Sequence, residues 1–325
     1  MSFAGGGTDV PPYPRLEGGA VLSATINRYA HGSLCLRNDG RTEIESVDLG
    51  ISLSLAPAGE IAIDGTLDLA KAAIRRLGQH GGTGYDLVLR SDVPPESGLG
   101  SSSAMVVALV GLLQEHYQLA LTRSEVARLA YVIERQDLGL VGGLQDQYAA
   151  TFGGFNYMEF GDEVVVSPLS ISDATVKELE LNLLLCFTGV TRESANVLGD
   201  QTARVKRFEE TTLAGLRAQK EIAAAMKRAL VRGQLDDFGM LLGEAWMHKK
   251  KFSPLITTPF LDEAYELALA HGALGGKVTG AGGGGHMIFY CDAARTHRVA
   301  EALALFGLAV TNVRFEREGV TTWRP

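Results

Sequence analysis

Alternating apolar and polar positions predict strands in the first part of the chain. The segments AVLSATINRYAHGSLCLR (20–37) and TEIESVDLGISLSLAP (42–57) are rich in β-branched, partly alternating residues, and Gly32 and Gly50 interrupt them. This pattern is typical of antiparallel strands. A further strand is expected in GYDLVLRSDVPPES (84–97), which leads into a turn rich in glycine and serine.

Helical patterns follow these strands and dominate the middle of the chain. LDLAKAAIRRLGQHGG (67–82) predicts a helix that ends in glycine. A second helix is expected from about Ser102 to Tyr117. A third begins at Thr122, which forms a capping box with Glu125 in the sequence TRSE. Further helices are expected over about 195–232, 234–251, 259–271 and 293–307.

The second half of the chain combines these helices with a few strands. LELNLLLCFTG (179–189) predicts a strand, GGKVTGAGGGGHMIFYC (275–291) a pair of strands hinged on glycines, and LAVTNVRFERE (308–318) a closing strand. This order of elements fits an open α+β sandwich. Because 325 residues are too many for one ordinary core, we expect two domains, residues 1–167 and 168–325.

Charge and composition restrict the classes of partner. Hydrophobic residues make up 46% and charged residues 21% of the chain, as in ordinary globular proteins, so a folded chain is expected. The formal net charge of −8 argues against a nucleic-acid-binding surface, which needs a basic footprint. A small anionic substrate is compatible with this charge, because it needs only local N–H groups and a few cations.

The apolar segments and the cysteines predict a cytoplasmic protein. The longest strongly apolar stretch, near 104–113, is too short to cross a bilayer, so no membrane contact is expected. No basic segment followed by an apolar one opens the chain, so export is not expected. Cys35, Cys186 and Cys291 are far apart and form no CxxC pair, which favours free thiols over a disulfide or a metal site.

Three glycine-rich segments carry the candidate chemistry. PPESGLGSSSA (94–104) runs from a strand into a helix, where free N–H groups and the helix dipole favour an anion. It lacks the lysine of the common nucleotide loop GxxxxGK(S/T), and an over-capped buried helix is the alternative. AGGGTDVPPY (4–13) lets the backbone approach a ligand beside a carboxylate, or is a tight turn with a solvated aspartate. KVTGAGGGGH (277–286) favours a loop in close contact with a ligand, because packing alone rarely requires five glycines.

In combination, the three segments resemble the signature motifs of the GHMP kinases, a family named for galactokinase, homoserine kinase, mevalonate kinase and phosphomevalonate kinase. PPESGLGSSSA is similar to the family's phosphate loop, PxxxGLGSSAA, with Ser103 in place of the first alanine. The resemblance covers nearly the whole chain. It implies a ribosomal-protein-like βαβ domain at the N-terminus and a ferredoxin-like domain at the C-terminus, with ATP and the substrate in the cleft between them.

The resemblance also implies roles for residues on the ATP side. The ATP phosphates would bind the phosphate loop, and Mg²⁺ would bind Ser102 and Glu134. Glu134 has independent support, because it follows the apolar stripe of residues 126–130 at helical spacing. A carboxylate there is costly unless it is bound to a metal or paired, for example with Arg135. The residues expected to bind ATP are Pro94, Gly98, Leu99, Gly100, Ser101, Ser102 and Ser103.

Asp146, in GGLQDQYAA (142–150), would be the catalytic carboxylate. The resemblance implies that it accepts the proton of a sugar hydroxyl or orients the hydroxyl oxygen for attack. From the local sequence alone, an aspartate that caps the next helical turn is equally compatible.

The substrate would lie near the N-terminal loop and the C-terminal glycines. Asp9 would bind sugar hydroxyls. Lys249 or Lys250 is a further candidate for a substrate phosphate, although MHKKK (247–251) is also typical of a solvated helix face. In the family a basic residue usually stands just upstream of the N-terminal glycines. Here Met1 stands three residues before them, so either the start is truncated or another cation supplies this charge, and no residue is assigned. The residues expected to bind the substrate are Gly7, Thr8, Asp9, Tyr13, Arg15, Arg192, Gly280 and Gly282, with Arg15 and Arg192 as candidates for its phosphate.

The segments IERQDLGLVGGLQDQYAATFGGFN (133–156) and CFTGVTRESANVL (186–198) are similar to the bacterial sugar-1-kinase branch of this family. This implies a cytoplasmic kinase, monomeric or homodimeric, that uses ATP and Mg²⁺ to phosphorylate the anomeric hydroxyl of D-glycero-D-manno-heptose 7-phosphate. The 1,7-bisphosphate would lead to nucleotide-activated heptose for capsule or surface polysaccharide. Alternatives are a fucose- or galactose-type sugar 1-kinase, a kinase of another small alcohol such as mevalonate, and a non-catalytic sugar or nucleotide sensor on the same fold.

Overall fold

Three four-stranded sheets organise the residues that the computed structural model describes, which are 1–56, 60–78, 84–190 and 194–324. The strands are β1 (Ser2–Ala4), β2 (Gly19–Ala24), β3 (Ala30–Leu36), β4 (Thr42–Ser46), β5 (Ile51–Leu55), β6 (Tyr85–Ser91), β7 (Phe155–Phe160), β8 (Val164–Pro168), β9 (Leu183–Phe187), β10 (Ala273–Val278), β11 (His286–Cys291) and β12 (Ala309–Asn312). The helices are α1 (Tyr13–Glu17), α2 (Asp68–Leu77), α3 (Ser101–Tyr117), α4 (Arg123–Tyr131), α5 (Gln145–Phe152), α6 (Asp173–Asn182), α7 (Ser194–Lys206), α8 (Glu210–Val231), α9 (Leu235–Lys249), α10 (Pro259–His271) and α11 (Ala293–Phe306). A π-helical turn, Val132–Asp137, directly continues α4.

Most strand pairs are antiparallel. The sheets have the strand orders β1-β2-β7-β8, β3-β6-β4-β5 and β10-β11-β9-β12. Within the described ranges β4 and β6 run parallel, and the other pairs run antiparallel. Together with the helices, these sheets make the α+β architecture that the sequence predicts. None of the helices in the same ranges is both long and apolar enough to span a bilayer.

A hydrophobic core crosses the domain boundary expected near residue 167. The first two sheets use strands that end with β8, and the third sheet uses strands from β9 onward, so the expected boundary coincides with the end of β8. Phe3 and Leu22 of the first sheet nevertheless share one core cluster with Phe238 of α9 and Ile288 of β11. We propose two domains, 1–167 and 168–325, and infer from the shared core that they stabilise each other.

The segment after β12 returns to the first half of the chain. Phe315 forms a β-bridge with Ile26, and the backbone N–H of Glu316 donates to the carbonyl of Thr25 at 3.0 Å. Gly319 lies against the carbonyl of Thr151, where a Cβ would approach to 2.1 Å. These contacts place the last residues beside α3 and α5, which carry the candidate catalytic groups.

Several sequence predictions match the elements, and two match them only in part. The capping box of Thr122 and Glu125 is confirmed. The expected strand over 179–189 is confirmed in part as β9, Leu183–Phe187, which begins later than expected because Ser172 caps α6 through the N–H of Thr175 and this helix continues to Asn182. The expected helix over 195–232 is two helices, since Phe208 adopts a left-handed backbone conformation between α7 and α8.

Glycines let α9 approach β10 closely. A Cβ on Gly275 of β10 would lie 2.2 Å from the carbonyl oxygen of Gly239, a contact that no side chain tolerates. A Cβ on Gly239 would in turn lie 2.3 Å from the Tyr290 ring. This contact matters for the site, because Lys249 at the end of α9 reaches the loop that follows β10.

We therefore expect Gly275→Ala to lower the free energy of unfolding by about 1–3 kcal/mol, since the added methyl group must push a backbone carbonyl away. Thermal unfolding measures the change. Gly199→Ala is the matched control, because Gly199 lies within α7 with no atom near its added Cβ, and alanine there favours the helix. Equal melting temperatures for Gly275→Ala and the parent would contradict the close packing.

Candidate active site

The phosphate-loop candidate adopts the geometry of an anion site. Gly98 and Gly100 have φ values of 79° and 75°, in the left-handed region that favours glycine. Gly100 is the N-cap residue of α3, and it has no side chain that could occupy the N–H groups of the first turn. These groups and the helix dipole are therefore directed toward a ligand.

The three serines of the loop do not act as helix caps. The hydroxyl of Ser101 approaches the carbonyl oxygen of Pro94 at 3.4 Å. The hydroxyls of Ser102 and Ser103 each donate to Glu134, to Oε1 and Oε2 respectively, both at 2.7 Å. The sequence also allowed a buried helix with surplus caps. This alternative is excluded for the segment, because none of the three serines caps α3.

Glu134 is the centre of a buried polar network. Its side chain is only 1% exposed, and Gln147 Nε2 donates to its Oε2 at 2.6 Å. Ile133 and Glu134 are consecutive residues, and both are buried. The π-helical turn changes the helical spacing at this point, which lets both side chains face the interior. Such turns widen a helix by one residue and are frequent at functional sites. The sequence predicted a buried carboxylate here, but neither the π-helical turn nor the contribution of Gln147.

Asp146 lies in the first turn of α5 and faces the phosphate loop. A Cβ on Gly100 would lie 3.1 Å from the Asp146 carboxyl carbon, so glycine keeps this approach open. Burial raises the pKa of Asp146, whereas the positive charges of the Met1 ammonium, Arg135 and Lys249 lower it. A carboxylate is thus held directly beside the start of α3.

Asp9 is held beside Asp146. Its carboxylate is fully buried and accepts the N–H of Gly7 at 3.1 Å and the N–H of Gln145 at 3.0 Å. A Cβ on Gly143 would lie 1.9 Å from its Oδ2, so only glycine fits at that position. Burial raises the pKa of Asp9. The N-terminal motif and the segment before α5 therefore meet at one point.

Two expected substrate residues serve the loop around Asp9. Thr8 is fully buried, and its hydroxyl donates to the carbonyl of Gly5 at 2.7 Å and accepts the N–H of Ala20 at 3.0 Å. Tyr13 is also buried, and its hydroxyl donates to Glu17 Oε2 at 3.4 Å. The Thr8 hydroxyl therefore stabilises the turn, and the Tyr13 hydroxyl bonds a residue of α1. Arg15 is exposed on α1, and Arg192 lies outside the described residues.

The C-terminal glycine motif packs directly on the phosphate loop. A Cβ on Gly280 would lie 2.8 Å from Gly98 Cα, and one on Gly285 would lie 2.4 Å from the Ser97 carbonyl oxygen. His286 Nδ1 lies 2.8 Å from the same oxygen. Gly282, with a φ of 111°, lies against Ile256, which belongs to the segment between α9 and α10. Glycine is thus needed here for contact between two protein segments.

Lys249 is buried and holds the glycine loop. Its ammonium donates to the carbonyls of Val278 at 3.1 Å and Gly280 at 2.5 Å. Burial lowers its pKa to about 7, and the nearby charges of Asp9 and Asp146 oppose this shift. Of the two lysines considered for a substrate phosphate, Lys250 instead pairs with Asp262 at 3.3 Å. Neither of these two lysines is therefore simply part of a solvated helix face, which was the alternative for this segment.

A cavity of about 490 Å³ opens beside these groups. Gly100, Ser101 and Asp146 line it, together with Tyr29 and Trp323 of the returning C-terminal segment. The cavity gives an extended ligand room to continue from the start of α3.

The oxygen donors at the start of α3 fit a hard cation. Ser102 Oγ and Glu134 Oε1 lie 2.7 Å apart, at a separation that two ligands of one small cation can adopt. In the described part of the chain no group of three or more His, Cys, Asp or Glu side chains could hold a metal. A cation here would depend on phosphate and water oxygens for its remaining ligands, which is the usual mode for Mg²⁺.

The chain is similar to known kinases over its full length. The chain is 39% identical to the D-glycero-alpha-D-manno-heptose 7-phosphate kinase of Campylobacter jejuni, over 100% of this chain and 96% of that protein. A solved D-glycero-D-manno-heptose 1-phosphate kinase from Bacteroides thetaiotaomicron has a TM-score of 0.84 and 36% identity, covering 100% of this chain and 96% of that one. The galactokinase of Lactococcus lactis, solved with galactose, shares the fold with a TM-score of 0.79 at 21% identity, over 98% of this chain and 92% of that one.

Two regions of the chain match family descriptions. Residues 68–154 match the GHMP kinases N terminal domain, and residues 226–307 match the GHMP kinases C terminal. The first region contains the phosphate loop, Glu134 and Asp146, and the second contains Lys249 and the glycine loop. Since these regions together cover half of the chain and the Campylobacter relative covers all of it, the protein is a member of the GHMP kinase family.

Proposed function

We propose that the protein transfers the terminal phosphoryl group of ATP to the anomeric hydroxyl of D-glycero-D-manno-heptose 7-phosphate and forms the 1,7-bisphosphate. The observation that carries this proposal is the position of Asp146, held against Gly100 at the start of α3. A carboxylate beside an anion site is what phosphoryl transfer to a hydroxyl requires.

On the donor side, the ATP phosphates bind the N–H groups of Gly98–Ser103, and the rest of the nucleotide occupies the 490 Å³ cavity. Pro94 supports the loop through its carbonyl contact with Ser101. Ser102 and Glu134 hold Mg²⁺, which would neutralise charge on the phosphate oxygens. Gln147 and Ser103 keep Glu134 in place by their hydrogen bonds to its Oε2.

On the acceptor side, Asp146 accepts the proton of the anomeric hydroxyl or orients its oxygen. Asp9 and the glycine loop with Gly280 and Gly282 border the sugar, and Gly7 shapes the turn that holds Asp9. The ammonium of Lys249 fixes the carbonyl of Gly280 and balances the two carboxylates. Proximity and charge, rather than covalent chemistry, account for the catalysis.

The choice of a heptose phosphate rests on the full-length similarity to proteins described as heptose phosphate kinases. A fucokinase is the alternative, since the bifunctional fucokinase/GDP-fucose pyrophosphorylase of Arabidopsis thaliana is 28% identical over 93% of this chain and 30% of that protein. We place the reaction in the cytoplasm, in the supply of nucleotide-activated heptose for capsule or surface polysaccharide. A pure sensor has no need of Ser102, Glu134 and Asp146 together.

If Asp146 assists proton transfer, Asp146→Asn lowers kcat by about 10²–10⁴-fold while the melting temperature stays near that of the parent. The amide keeps the shape of the side chain but cannot accept the hydroxyl proton. A coupled assay of ADP release measures the rate. A kcat within a few-fold of the parent would remove Asp146 from the mechanism.

If Ser102 and Glu134 bind the metal, Ser102→Ala and Glu134→Gln each raise the Mg²⁺ concentration for half-maximal rate by roughly 10-fold or more. Titration of the rate with Mg²⁺ at constant ATP tests this. Ser101→Ala is the control, because the Ser101 hydroxyl approaches the carbonyl oxygen of Pro94 and, among the described residues, forms no hydrogen bond with Glu134. The assignment is wrong if all three variants titrate like the parent.

If the acceptor is the heptose phosphate, D-glycero-D-manno-heptose 7-phosphate gives a higher kcat/KM than mannose, fucose or galactose. A site that bonds particular hydroxyls loses about 1–3 kcal/mol for each partner that an isomer leaves unpaired. A screen of ADP release over these sugars makes the comparison. A higher kcat/KM with fucose or galactose would contradict the heptose assignment but retain a sugar kinase.

A further inference from the structure

Arg135 is nearly buried, yet its guanidinium is weakly bonded. The side chain is 14% exposed. Its nitrogens reach Val141 O, Ser103 Oγ and Glu134 Oε1, each at 3.4 Å, and its Nε is buried without a hydrogen-bond partner among the described residues. Charge-assisted bonds of arginine are normally about 2.7–2.9 Å long.

Another arginine of the same chain, Arg217, makes two short hydrogen bonds to one carboxylate. Arg217 donates to Glu17 through Nη2 at 2.7 Å and Nε at 2.8 Å, although it lies on the surface. A poorly bonded cation is far more costly in the interior than at the surface. The geometry of Arg135 is therefore that of a group whose strong partner is a ligand.

The local chain leaves room for this guanidinium. A Cβ on Gly142 would lie 2.3 Å from Arg135 Cζ, so a side chain at position 142 would displace the guanidinium from where it lies. The next residue, Gly143, makes the corresponding room for Asp9. The glycine pair before α5 therefore accommodates one charged side chain at each position.

The location of Arg135 identifies the chemistry of the ligand. Arg135 contacts Ser103 in the first turn of α3, and its charge lowers the pKa of Asp146. It thus lies near both the start of α3 and the catalytic carboxylate. Lys249 also lowers the pKa of Asp146, but it already has two carbonyl partners, so Arg135 has the greater unused donor capacity of these two side chains.

We propose that Arg135 donates hydrogen bonds to the phosphoryl group as it passes from ATP to the sugar. This inference rests on the proposed kinase function and adds a residue to it. The transferring group carries charge on three oxygens, and a planar guanidinium can bond two of them at once. The first-turn N–H groups of α3 act from one side of this group, and Arg135 acts from the side of Glu134.

The test compares Arg135→Met and Arg135→Lys with Arg128→Met. Arg128 lies two helical turns earlier, in α4, and is exposed, so it controls for loss of an arginine. We expect Arg135→Met to lower kcat by about 10²–10³-fold or more, with less than roughly 3-fold change in KM for either substrate. Lysine should restore only part of the rate, because it cannot bond two oxygens in a fixed fork.

Two further measurements separate this role from a structural one. ADP with aluminium fluoride and the sugar phosphate mimics the transferring group, and we expect Arg135→Met to lose this tight complex while it binds ADP alone like the parent. Gly142→Ala leaves the guanidinium intact but displaces it, so we expect a lower kcat there as well. In each case thermal unfolding verifies that the variant is folded.

The outcomes distinguish the possibilities. A kcat for Arg135→Met within about 3-fold of the parent, or a normal aluminium fluoride complex, would overturn the proposal. So would a raised KM for heptose 7-phosphate at unchanged kcat, because Arg135 would then bind the acceptor's own phosphate. A parent enzyme that phosphorylates no sugar would instead overturn the proposed function itself.

Discussion

The burial of the Glu134 carboxylate is the constraint on which the rest of the site depends. A carboxylate that is 1% exposed needs strong partners, and it takes them from Ser102 and Ser103 of α3 and from Gln147 of α5. One side chain thus ties the start of the phosphate-loop helix to the helix that carries Asp146. Glu134 lies in the π-helical turn, an irregularity of the helix that is frequent at functional sites.

Close contacts between glycines bring the second half of the chain onto this frame. Gly280 packs against Gly98, and Gly285 packs against Ser97. The Lys249 ammonium donates to the carbonyl of Gly280 and so helps to fix this loop. Buried carboxylates from the N-terminal loop and α5 then face cations from α9 and the π-helical turn. A site assembled from so many separate segments is complete only when both halves are folded together, as the shared core requires.

The motifs in the sequence predicted which residues lie close together better than they predicted the individual contacts. Ser102, Glu134 and Asp146 meet as expected, because short glycine-rich motifs directly specify backbone geometry. The three lysines of MHKKK look equivalent in sequence, and only the approach of α9 to β10 buries Lys249 while Lys250 pairs with Asp262. Thr8 shows the same limit, since its hydroxyl bonds a strand twelve residues away. The π-helical turn has no signal of its own, because the apolar spacing before it is that of an ordinary α-helix.

The central claim is that the groups around Asp146 direct one phosphoryl group to the anomeric oxygen of a heptose 7-phosphate. Phosphorus NMR of the reaction with ATP observes this directly, because a phosphate at the anomeric position couples to the anomeric proton. We expect one new anomeric phosphate resonance that grows in step with ADP, while the 7-phosphate resonance persists. Release of ADP without that resonance, or a new phosphate at another position of the sugar, would contradict transfer to the anomeric oxygen.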